Sequence, residues 1–147
     1  MVDHPSVGSA VTPVVVDASV TAAWCFQDEA TDASRALHRS LPHRQVVVPL
    51  LWHAECANLL LTAERRRRLS TESCSELLDL LGELPIETDD ETAHIRGPVI
   101  RLARTHRLTV YDAIYLDLAM RRGIALATRE NDLRRAAASL NVTLIQT

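Results

Sequence analysis

PVVVDAS, residues 13–19, runs through three valines and stops at a carboxylate. β-Branched residues favour extended backbone, and an unbroken apolar triplet suits a strand buried on both faces of a parallel sheet. QVVVP at 45–49 repeats the pattern, and IALAT at 124–128 is a third apolar run. PIET at 85–88 reads as a short strand and VTLIQ at 142–146 as a last one.

Helical patterns fill the intervals. Short helices are expected over 19–27 and from Thr31 to Arg39. LLWHAECANLLLTAERRRR predicts a long helix over roughly 50–68, with Pro49 at its start. A further helix begins at Thr71 and ends near Gly82. Residues 89–105 are helical by pattern, with a break or kink at Gly97-Pro98. Thr109 to Arg122 forms a helix closed by Gly123, and Asn131 to Leu140 another. Strands that alternate with helices, without repeat or linker, predict one α/β domain built on a parallel sheet.

The chain has 147 residues, enough to bury roughly 68–70% of its unfolded surface without staples. Residues 1–12, MVDHPSVGSAVT, lack the charged start and apolar centre of a signal peptide and read as a tail. The domain proper is expected over 13–147. No apolar run approaches the ~20 residues of a membrane span, so the expectation is a cytoplasmic protein without membrane association. Three cysteines without CxxC spacing argue against a disulfide framework and a zinc site. A net charge of −3 gives no general pull towards nucleic acid, and 3% aromatics leave few stacking platforms. Nucleic-acid binding would need a local basic patch or metal ions.

In open parallel sheets, sites form outside the carboxyl ends of the strands. Asp17 and Thr128 stand at two such ends. Glu55 lies in the second turn of the helix that follows Pro49, and Asp112 in the first turn of the helix from Thr109. Each acid has an ordinary alternative. Asp17 suits an N-cap or turn. Glu55 shares a stripe with Leu51, Asn58 and Thr62 that suits either solvent or a cleft wall. Asp112 follows Thr109 at capping-box spacing. Asp117 lies about 140° further round the same helix and is expected at the surface. Glu130 or Asp132, in ATREND, could cap the next helix.

Taken together the acids ask for another account, because separate segments bring them to one sheet edge. Clustered carboxylates repel and raise one another's pKa. A hard divalent cation such as Mg²⁺ or Mn²⁺ relieves that repulsion and prefers oxygen ligands. Such a cation can orient a phosphate and activate water, so the chemistry suggested is metal-assisted phosphodiester hydrolysis.

Other uses of a strand-end Asp fit poorly. A phosphorylation receiver needs a late Lys, and this chain has no Lys at all. A haloacid-dehalogenase-type phosphatase needs DxD, but Ser19 follows Asp17 at that spacing. GxGxxG and GxSxG are both missing. The six histidines fall at no metal-ligand spacing, and His53 reads as a local hydrogen-bonder.

VVVDASV, HAECANLL and LARTHRLTVYDAIYLDLAMRRGIALATREND resemble, in that order, the PIN domain, specifically VapC-type ribonuclease toxins. The resemblance implies a three-layer α/β/α sandwich with a central parallel sheet and Mg²⁺-dependent endonucleolytic cleavage of RNA, a tRNA or an mRNA. It implies a homodimer and a cognate antitoxin protein. Asp17, Glu55 and Asp112 match the family's first three acids and would be catalytic and metal-holding. Thr128 matches the residue ahead of the fourth, but the acid two residues on is Glu130, where the family usually carries Asp. Asp132, two further, is the other candidate. The family places Asp117 as a secondary acid and Ser19 and Thr128 as supporting hydroxyls. Arg121, Arg122 and Arg129 lie near these positions in sequence and are candidate RNA contacts. The competing readings are a non-catalytic PIN-like module that binds RNA or protein and a structure-specific DNA nuclease.

Overall fold

A computed structural model describes residues 12–147, so the expected tail, Thr12 excepted, lies outside the described residues. The valine runs do form strands. β1 is Val14–Val16, β2 Val46–Pro49, β3 Ile86–Asp89 and β4 Ala125–Ala127. They pair in the order β3-β2-β1-β4, all parallel. Val14, Val15, Val16, Val47 and Val48 are fully buried, as strands covered on both faces require.

Among the described residues seven α-helices flank the sheet: α1 (Ala18–Cys25), α2 (Asp32–Ser40), α3 (Leu50–Arg65), α4 (Thr71–Gly82), α5 (Ile100–His106), α6 (Val110–Arg122) and α7 (Asn131–Ser139). Right-handed crossovers divide them between two faces. The chain steps from β1 to β2 to β3 in one direction, which puts α1 to α4 on one side. It then returns across the sheet to β4, which puts α5, α6 and α7 on the other. The result is a three-layer α/β/α sandwich.

Local chemistry sets the helix ends. Thr31 and Ser34 form a reciprocal capping box, and Ser70 accepts from the Ser73 amide. Gly123 closes α6 at φ 62°, a left-handed conformation in which a Cβ would be strained. Trp52 of α3 donates its indole N–H to the Thr21 hydroxyl of α1 at 2.9 Å, a buried bond that fixes these two helices against each other. Cys56 and Cys74 are buried, Cys25 is partly buried, and all three are free thiols.

Three expectations are corrected. VTLIQ does not form a strand; only Leu144 bridges to Leu126, beyond the β4 edge. Residues 90–94 are not helical, because β3 runs on to Asp89 and helix begins only with a π-type turn at Ile95–Val99. Pro98 cannot donate the ordinary helical bond, and the wider turn accommodates it. His53 bonds not locally but across to Thr88 of β3, at 2.9 Å. Among the described residues no helix is long and apolar enough to cross a membrane.

Candidate functional site

The strand order reverses at β1, which has β2 on one side and β4 on the other. Open α/β sheets place their ligand crevice outside the carboxyl ends of strands at such a point. Val16 pairs with Ala127, so Asp17 and Thr128 emerge side by side, and the Asp17 amide donates to the Ala127 carbonyl at 3.0 Å.

Asp17 occupies the N-cap position of α1 but makes no side-chain cap bond, so capping does not explain it. Its carboxylate is buried and bound from above. The Thr128 hydroxyl donates to Oδ2 at 2.6 Å, and the Ser19 hydroxyl donates to the same oxygen at 2.9 Å. Thr128 Oγ1 accepts from the Glu130 amide at 3.0 Å, and Ser19 Oγ from the Arg129 amide at 2.9 Å. The loop after β4 is thereby stitched to Asp17. Burial pushes the Asp17 carboxyl up, and the two hydroxyls oppose that shift.

Asp112 is half-buried in the first turn of α6. Thr109 caps that helix by accepting from the Asp112 amide at 3.0 Å, but no reciprocal bond uses the Asp112 carboxylate. The carboxylate faces other acids instead. Burial first, then the charges of Asp17, Glu130, Glu55 and Asp132, push it up to about 6. Glu55, on α3, is also half-buried. Burial raises its pKa, Asp17 and Glu130 raise it further, and the Tyr115 hydroxyl opposes them. That hydroxyl donates to Glu55 Oε1 at 2.5 Å.

Asp17, Glu55, Asp112 and Glu130 therefore act on one another as a group of negative charges. The ion pairs of the described residues all engage other acids, so no Arg or His compensates these four. Asp132 stands at the margin, exposed and paired with Arg135 at 3.0 Å. Among the described residues no group of three or more His, Cys, Asp or Glu side chains is gathered closely enough to hold a metal ion by itself. An open rim of uncompensated carboxylates nevertheless fits Mg²⁺, which keeps several waters and takes only one or two carboxylates directly.

Other candidates lie elsewhere. Asp117 is buried, against the surface position expected for it, because its carboxylate is neutralised. Arg121 Nε reaches Asp117 Oδ2 at 2.8 Å, and His94 Nδ1 lies 3.0 Å from Oδ1. Arg121 and Arg122 also pair with Asp89 at 3.1 Å each, and Arg122 with Glu87 at 2.7 Å. At 1.5 Å per residue, Arg121 sits about 13 Å along α6 from Asp112. Arg129 lies beside the site, but its guanidinium donates to the Glu29 carbonyl at 3.1 Å. Of the four-arginine run, Arg68 turns back over the Phe26 ring at 4.2 Å and pairs with Asp28 and Glu29.

Tyr115 is the site residue that sequence reasoning missed. Its signal was the spacing YDAIY, which sets Tyr115 three residues after Asp112 and so on the same side of α6.

The sequence profile described as the PIN domain matches residues 14–139. Among solved structures, PAE2754 from Pyrobaculum aerophilum is 25% identical, with a TM-score of 0.65 over 92% of this chain and 85% of that one. VapC20 from Mycobacterium tuberculosis, a sarcin–ricin loop cleaving toxin, is 19% identical, with a TM-score of 0.65 over 84% of this chain and 94% of its own. FitAcB from Neisseria gonorrhoeae is 20% identical, with a TM-score of 0.60 over 90% of this chain and 96% of that one. No curated protein matches the sequence.

Proposed function

Because this chain belongs to the PIN-domain family, we propose that it is a Mg²⁺- or Mn²⁺-dependent endoribonuclease. In this reading it is the cytoplasmic toxin half of a toxin–antitoxin pair. The single observation that carries the proposal is the group of four acids at the switch point of the sheet, none of which forms an ion pair with a basic side chain of the described residues.

Asp17, Glu55 and Asp112 would hold the cation, one or two of them directly and the rest through its waters, and Glu130 would serve as the fourth acid. When bound, the cation supplies charge that neutralises the acids, acidifies an attacking water and steadies the leaving oxygen of a phosphodiester. The chain's own contribution is placement. Thr128 and Ser19 fix the plane of the Asp17 carboxylate through Oδ2. The first turn of α6 delivers Asp112 with its carboxylate uncommitted. The second turn of α3 delivers Glu55 from the opposite layer. Glu130, exposed after β4, is the member with most freedom to meet a substrate.

A cognate antitoxin and a homodimer complete the reading. VapBC2 from Rickettsia felis and a toxin–antitoxin complex from Klebsiella pneumoniae share this fold, at TM-scores of 0.63 and 0.53. The rival reading, a non-catalytic binding module, draws on the exposure of Glu130 and the lack of a closely gathered ligand group among the described residues.

RNA cleavage by purified protein with Mn²⁺, with EDTA, and beside Asp17→Asn tests the proposal. Cleavage should require the metal and vanish in the variant, with circular dichroism unchanged. Undiminished cleavage by Asp17→Asn would sink the mechanism. Equal turnover of single-stranded DNA would move the substrate class.

A further inference from the structure

Glu55 and Asp112 reach the site from helices on opposite faces of the sheet, so no strand hydrogen bond sets one against the other. One side-chain bond does. Tyr115 sits one turn after Asp112 on α6 and is fully buried, so core packing determines where its hydroxyl stands. That hydroxyl crosses the sheet edge and donates to Glu55 Oε1 at 2.5 Å. We infer that Tyr115 is a positioning residue of the acid site, holding Glu55 at a fixed distance from Asp112 through its phenolic O–H. The inference rests on the metal-dependent reading of these acids.

Two physical points support it. A phenol has only two side-chain torsions, and with its ring locked in the core it makes a rigid strut. A Glu has three torsions, and a half-buried Glu on a helix would otherwise sample several rotamers. The bond is also mutual. A phenolic O–H with no exposure needs an acceptor, and Glu55 is the one it has. The neighbouring acids repel Glu55, so without the strut its carboxylate would swing towards solvent and away from Asp17 and Asp112.

A purely structural role would satisfy the hydroxyl and nothing more, so the test must separate the two. Tyr115→Phe keeps the ring and removes only the donor. Mn²⁺ affinity by calorimetry and kcat and KM on RNA are measured on the full chain. Partners of this kind are worth 10–100-fold in metal affinity or activity. The expected result is Mn²⁺ binding weakened about 10-fold and kcat lowered similarly, with KM little changed. In a Glu55→Gln background, adding Tyr115→Phe should cost no further Mn²⁺ affinity. A lower melting temperature with unchanged Mn²⁺ affinity and kcat would overturn the inference while leaving the metal site standing. An equal additional loss in the Glu55→Gln background would also overturn it, because the effect would not run through Glu55. If wild type and Asp17→Asn both fail to bind Mn²⁺, the metal-dependent reading itself falls and takes this inference with it.

Discussion

At the scale of single residues, Asp112 carries the sharpest consequence. Its carboxyl is held at about 6 in the folded protein, against 3.8 when free of it. A group whose pKa rises on folding favours the folded state while protonated. That advantage is fully present below pH 3.8 and is lost as pH climbs through 6. Metal-free protein should therefore lose stability across pH 4–6, and Asp112→Asn should flatten that part of the curve. At pH 7 without metal the variant should melt higher than wild type, and Mn²⁺ should narrow or reverse the order. Thermal melts at several pH values with EDTA check this; a wild-type curve that rises between pH 4 and 6 and stays parallel to the variant's would refute it. Among the residues of the proposed site, Asp17, Glu55, Asp112, Glu130 and Thr128 stood out in the sequence because each marks a strand end or an early helix turn. Tyr115 was not, because its role depends on a partner 60 positions away. No local pattern records such a pairing.

At the scale of elements, what the sequence displayed and what it hid divide along one line. Periodicity showed the four strands and six of the seven helices of the described residues to within a few residues, but started α5 eleven residues too early. It overcalled VTLIQ, because an apolar alternation says nothing about whether a neighbouring strand edge is long enough to pair. It also misplaced Asp117, since burial of an acid depends on cations supplied by other elements. Asp117 and Asp89 are 8% and 9% exposed, and Arg121 touches both. This lattice ties β3, the turn at His94 and the end of α6 together. Arg121→Met should thus strip much of the compensation from one buried carboxylate, Asp117, and one partly buried one, Asp89. The expected loss is roughly 3 kcal/mol, at the low end for an unpaired buried charge because His94 and Arg122 remain. Turnover per folded molecule should be unchanged, as Arg121 lies about 13 Å from Asp112 along α6. Urea unfolding beside kcat measures both; a drop in kcat with stability intact would instead make Arg121 part of the working site.

At the scale of the whole molecule, the fold keeps its working charges and its bracing charges apart. A net charge of −3 is too small to show this, because it averages over them. Around the lattice, Arg121 and Arg122 meet the acids of β3 and α6; at the carboxyl edge of β1 and β4 the acids meet one another. The chain thus carries an electrostatic cost at one place, and a cation that binds there should return it as stability. A ligand that binds only the native state stabilises by RT ln(1 + [L]/Kd), about 2.7 kcal/mol at a hundredfold excess over Kd. For a domain of this length that corresponds to a rise of roughly 5–10 °C in melting temperature. Mn²⁺ or Mg²⁺ should produce such a rise in wild type and EDTA should reverse it. Asp17→Asn should respond far less, because the carboxylate that Thr128 and Ser19 orient is gone. Arg121→Met should respond in full from its lower starting point, since its lattice takes no part in holding the cation. A rise of equal size in Asp17→Asn would place the cation elsewhere on the surface and separate the acid group from metal binding.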